Sequence, residues 1–120
     1  MKQEIFRHYM IHVDEIDQCH LHLLNWMLAL SRQDPAARPL SELVDALQEH
    51  MTDEETFMAQ IEFPYLSHHA GVHRTIMHQV KTHVDTGYTR YFGVFAYKLF
   101  LDHIDQMDSQ IGSFVMLLDR

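Results

Sequence analysis

His50 and Glu54 stand four residues apart, and so do His69 and His73 on the far side of Phe63-Pro64. On an α-helix, residues four apart lie one above the other on the same face, roughly 6 Å along the axis. Each half of the stretch 50–73 therefore offers a pair of metal-type ligands, and a turn at the proline makes the two helices antiparallel neighbours. His20 upstream, with His103 and Asp108 downstream, completes a set of seven ligand-type side chains on four helices. A single histidine on an apolar face is more often a hydrogen-bonded core residue than a ligand. Five histidines and two carboxylates on the inner faces of four helices are harder to satisfy that way. Carboxylates are rarely buried without partners, and a metal centre pairs the whole set at once.

The donor types narrow the chemistry. Seven ligands are too many for one tetrahedral zinc, and the chain has neither an H-E-x-x-H motif nor a cysteine pair. Carboxylate-rich di-iron bundles carry two Glu-x-x-His motifs, and this chain has none. Imidazole suits Zn, Cu, Fe and Ni, whereas bridging carboxylates point to two adjacent ions. A histidine-dominated pair of irons bridged by two carboxylates is the better match.

The elements that must position these groups are helices. Ile16, His20, Leu23, Leu24, Met27 and Leu28 form one face of a helix over about 14–32, with acidic residues in its first turn. Two prolines mark the loop Ser31–Pro39. Leu43, Leu47, His50, Glu54, Phe57, Met58 and Ile61 stripe a second helix over about 40–62. The third, about 64–87, has Pro64 in its first turn and Gly87 as its C-cap, with Leu66, His69, His73, Ile76, Met77 and Val80 inward. The fourth, about 89–118, carries Phe92, Phe95, Leu99, Phe100, His103, Met107 and Ile111. Short loops and one apolar stripe per helix predict an all-α, up-down-up-down four-helix bundle, with residues 1–13 as an N-terminal arm laid across it. His103 and Asp108 are five apart, so a regular helix would splay them by roughly 140°. A local irregularity, a π-type bulge, is predicted between them.

Composition sets the frame. At 120 residues the chain is expected to be one domain, and 4 Gly with 3 Pro favour long helices. A formal charge of −8 disfavours nucleic acid and a polybasic membrane anchor. No apolar run reaches membrane-span or signal-peptide form. The lone Cys19 excludes an internal disulfide and suits a reducing compartment. The expectation is a soluble cytoplasmic protein. Six further histidines (His8, His12, His22, His68, His78 and His83) fall outside the set, and His68 is passed over for His69 because His73 lies four residues after the latter.

Taken in order, D-x-x-H (Asp17, His20), H-x-x-x-E (His50, Glu54), P-x-x-x-x-H-x-x-x-H (Pro64, His69, His73) and H-I-x-x-x-D (His103, Ile104, Asp108) resemble the hemerythrins, particularly the bacterial single-domain ones. The resemblance implies two iron ions with an oxo or hydroxo bridge. It assigns His69, His73 and His103 to one iron, His20 and His50 to the other, and Glu54 and Asp108 to both. The two-histidine iron would keep a position open for dioxygen or another small diatomic or peroxide ligand, with Leu23, Met51, Leu99, Phe100 and Ile104 lining the pocket. The sequence departs from the family pattern at Met51 (usually Phe), Leu99 (usually Trp), Phe100 (commonly Leu) and His12 (usually Gly). Oxygen binding, as carrier, store or sensor, is the expected function, and a sensor would need a signalling partner. A di-iron redox enzyme acting on peroxide, nitric oxide or dioxygen is the alternative, and an iron-storage or structural metal module the third.

Overall fold

The computed structural model describes residues 6–84 and 89–118. Helix α1 spans Asp14–Ser31, α2 Leu40–Gln60, α3 Leu66–Val84 and α4 Thr89–His103. A π-helical turn, Ile104–Asp108, joins α4 to α5, Ser109–Leu118. The chain forms an all-α four-helix bundle with an N-terminal arm, and the described residues include no strand. No described helix is long and apolar enough to cross a membrane. The Gly87 cap and the last residues expected of the third helix lie outside the described residues.

Helices α1 and α2 end in the same way. Gln33 and Glu62 take left-handed backbone angles, with φ of 55° and 56°. At each, the amide of the following residue reaches back five positions, Asp34 to Ala29 at 3.0 Å and Phe63 to Met58 at 2.9 Å. This is the Schellman closure, usually built on glycine. It ends α2 at Gln60 and leaves Phe63-Pro64-Tyr65 as a turn, so α3 opens at Leu66 and not at the proline. Phe63 is buried under the turn.

The arm is fixed by one carboxylate. Asp17 is 2% exposed and accepts the backbone N–H of Ile11 at 2.8 Å and of His12 at 2.9 Å. Ile11 is thereby pressed into an apolar cluster with Ile16, Met58, Phe63 and Ile111. The bend puts His12 at φ 65°, a region where a side chain is strained and glycine is not. Replacement of His12 by Gly is expected to stabilise the fold by about 0.5–1 kcal/mol, read as a raised urea midpoint with unchanged slope. A loss of stability would show that the histidine ring, not the backbone, holds the bend.

The larger apolar cluster fills the other end of the bundle, around Leu24, Met27, Leu47, Met51, Met77 and Phe100. On α1, α2 and α3 ligand-type residues fall between residues of the two clusters. On α1, His20 lies between Ile16 and Leu23, and on α2, Glu54 lies between Met51 and Met58. The result is one polar layer sealed by hydrocarbon on both sides.

Candidate metal centre

All seven side chains singled out by spacing meet in that layer, none more than 5% exposed. His20 comes from α1, His50 and Glu54 from α2, His69 and His73 from α3, His103 from the end of α4, and Asp108 from the π turn. The π turn makes the last pair possible. Its wider coil brings positions five apart onto one face, and His103 Nε2 stands 3.0 Å from Asp108 Oδ1.

The contacts divide into two groups that share both carboxylates. Glu54 Oε1 lies 3.0 Å from His69 Nε2 and 3.1 Å from His73 Nε2, while Oε2 lies 3.3 Å from His50 Nε2 and 3.4 Å from His20 Nε2. Asp108 repeats the pattern, with Oδ1 2.9 Å from His69 and Oδ2 3.1 Å from His20. Within each group imidazole nitrogens face each other, His20 and His50 at 3.1 Å and His73 and His103 at 3.1 Å. Ligands about 2.1 Å from one ion and at right angles to each other stand about 3.0 Å apart, so these spacings are those of atoms around a common centre. His69 Nε2 and both Asp108 oxygens are buried, close to partners, yet in no hydrogen-bonding geometry. Orphaned lone pairs converging on one point fit a cation. One group of donors able to hold an ion is Glu54, His69, His73, His103 and Asp108, and the other is His20, His50, Glu54 and Asp108.

Without an ion the carboxylates favour the protonated forms of His20, His50 and His69. Burial works against charge on His20, but the adjacent Asp108 and Glu54 carboxylates outweigh it and raise its pKa to about 9. The same balance raises His69 to about 9. Burial and the Glu54 charge push Asp108 upward, yet His103, His20 and His69 hold it at about 2. Glu54, opposed by burial, is held well below the ordinary carboxylate range by its four histidines. The raised histidines stabilise the metal-free fold fully below 6.5, and that contribution is lost as pH rises towards 9. The depressed Asp108 stabilises it above 3.8, a contribution lost as pH falls towards 2. Metal-free protein should therefore melt at its highest temperature between about pH 4 and 6.5 and lose ground towards pH 9. Metal-loaded protein needs bare imidazoles and should show no such alkaline decline. Circular-dichroism melts across pH with and without metal test this, and coincident curves would refute it.

Of the residues expected to line a ligand pocket, Leu23, Met51, Phe100 and Ile104 are buried in the larger apolar cluster. The Phe100 ring meets those of His20 and His50 edge-on, at 5.4 and 5.6 Å, and so walls the two-histidine side. Leu99 is half-buried and packs against the larger cluster from its edge, where it borders a groove of about 370 Å³ between α3 and α4 together with His103, Ile76 and Met107. All six remaining histidines are exposed, His68 among them.

Spacing alone missed Glu55. Its Oε2 accepts from His73 Nδ1 at 2.9 Å, although a residue next to a ligand turns about 100° away on a helix. Cys19, expected to be a small packing residue, also bears on the layer: burial opposes charge on His50, but Cys19 and Glu54 outweigh it and raise that histidine's pKa.

Comparison with known proteins settles the lineage. A family described as the hemerythrin HHE cation binding domain matches residues 11–115. The chain belongs to the hemerythrin family. It is similar to bacteriohemerythrins from Campylobacter jejuni subsp. jejuni, at 43% identity over 42 residues for serotypes O:6 and O:2 and 40% for serotype O:23/36. Those 42 residues are 35% of this chain, and the match spans about a third, 32%, of the length of these curated relatives. No solved structure matches the chain significantly. Membership in the hemerythrins accords with the metal-binding character of the buried layer.

Proposed function

We propose that this hemerythrin holds two iron ions and binds dioxygen, or a similar small ligand, reversibly at one of them. The observation that carries the reading is the asymmetry of the two donor groups. Both contain Glu54 and Asp108, but one adds three histidines and the other only two. His69, His73 and His103 would hold the first iron, and His20 and His50 the second. When bound, such a pair of irons supplies two electrons to a small ligand and takes them back on its release.

The protein's part is to fix and to exclude. Four helices place the imidazoles so that folding, not metal uptake, sets the geometry. Phe100 covers His20 and His50, and Met51 and Ile104 are fully buried in the same apolar cluster. Hydrocarbon there admits an apolar diatomic molecule more readily than water or solvated ions. A redox enzyme acting on peroxide, nitric oxide or dioxygen is the second reading. It draws on Met51, because a buried thioether near such chemistry is itself open to oxidation by peroxide-level species. An electron-transfer or signalling partner belongs to either reading.

The test is the optical spectrum of reduced, iron-loaded protein before air, in air, and after deoxygenation. A charge-transfer band that comes and goes with oxygen supports reversible binding. Immediate conversion to a stable ferric form favours the redox enzyme. Protein that takes up zinc alone would end both readings.

A further inference from the structure

A groove of about 400 Å³ between α2 and α3 leads from solvent to His73, with Glu55, Arg74 and Lys81 among its lining residues. His73 is 2% exposed, whereas the Glu55 side chain is 33% exposed, and the two meet at 2.9 Å between Nδ1 and Oε2. The other histidines of the three-histidine group have no carboxylate at Nδ1 among the described residues. The Nδ1 atoms of His69 and His103 are buried and lack a hydrogen-bond partner among the described residues, as does that of His20 across the centre.

We propose that Glu55 is a positioning residue that fixes the tautomer and orientation of His73 and makes it the most electron-donating imidazole of the centre. The inference rests on the metal-centre reading above. With Nδ1–H given to the carboxylate, the lone pair of Nε2 is left facing Glu54 and His103, where an ion would sit. A carboxylate drawing on the far ring proton raises the basicity of the ligating nitrogen. It thereby favours the more oxidised metal on the three-histidine side. The place of Glu55 explains how it serves. One residue past Glu54 it turns outward from α2, so its charge stays partly hydrated at the groove while its oxygen reaches the neighbouring helix.

The test compares wild type with Glu55→Ala and Glu55→Gln, using Co2+ uptake against a competing chelator and the midpoint potential of the iron-loaded protein. Glu55→Ala is expected to weaken Co2+ binding roughly 10- to 100-fold and to raise the potential. In Glu55→Gln the amide oxygen still accepts from Nδ1, so affinity is largely kept. Its charge is gone, however, and the potential should rise as in the alanine variant. The metal-free melting temperature serves as control and should stay within a degree or so in Glu55→Gln, which keeps an acceptor for His73 Nδ1. Co2+ affinity within twofold of wild type together with an unchanged potential in Glu55→Ala would overturn the role. Wild-type protein that binds neither cobalt nor iron would overturn the metal centre itself, and the role of Glu55 with it.

Discussion

Replacement of Glu54 by Ala is expected to empty both metal positions, where replacement of His50 by Ala empties only one. Glu54 belongs to both donor groups, with one oxygen turned to His69 and His73 and the other to His20 and His50. His50 belongs to one group alone. The effect also reaches the metal-free protein. Below neutral pH the carboxylate is the counter-charge for buried imidazolium groups, and removing one partner of a buried pair costs about 3–5 kcal/mol. Metal content per chain, with urea unfolding of the metal-free variants at pH 5, reads both effects. A Glu54→Ala protein that keeps one ion at wild-type affinity would show that the carboxylate is not shared.

Replacement of Gly93 by Ala is expected to cost about 3 kcal/mol, the upper end for overpacking. Helix α4 passes close against the end of α1 here. A Cβ at Gly93 would stand 2.5 Å from the Ser31 nitrogen, 2.8 Å from the Met27 oxygen and 2.9 Å from the Ser31 Cα. All three are backbone atoms, so no side-chain rotation relieves the clash and the helices must part. Because α1 carries His20 and α4 ends at His103, parting them also loosens the centre. Gly71 on α3 is the control. A Cβ there meets only the end of Arg74, at 3.5 Å, and Ala in a helix is favoured over Gly by up to about 1 kcal/mol. Side-by-side unfolding should give opposite signs. Equal effects would mean that helix propensity, not the crossing, decides.

The architecture was legible because each helix carries its own apolar stripe, and a stripe that contains histidine and glutamate announces a polar layer. The five-residue gap between His103 and Asp108 was legible as well, since only an irregular helix lets both face inward, and a π turn lies there. Other features depend on what crosses between elements, which periodicity does not encode. Glu55 matters through a ring on the next helix, and Leu99 is only half-buried although it immediately precedes the fully buried Phe100. Helix ends were the least legible. Gln33 and Glu62 close α1 and α2 in a left-handed conformation that a sequence ordinarily signals with glycine.

The π turn also constrains how this chain can change in length. It holds one residue more than a regular helical turn would, and the wider coil absorbs that surplus. Deleting one residue between His103 and Asp108 would leave the two four apart, and an ordinary coil would still keep both on one face with α5 in phase. The regular helix that follows has no such slack. Deleting Ser109 or Gln110 would rotate the rest of α5 by about 100° against Asp108. Ile111 would swing out of the cluster it shares with Ile11. Gly112, whose missing Cβ leaves room for the Ile11 carbonyl, would no longer lie beneath the arm. A single-codon deletion far from the amino terminus would thus undo the seating of the first dozen residues, whereas one inside the π turn would be absorbed.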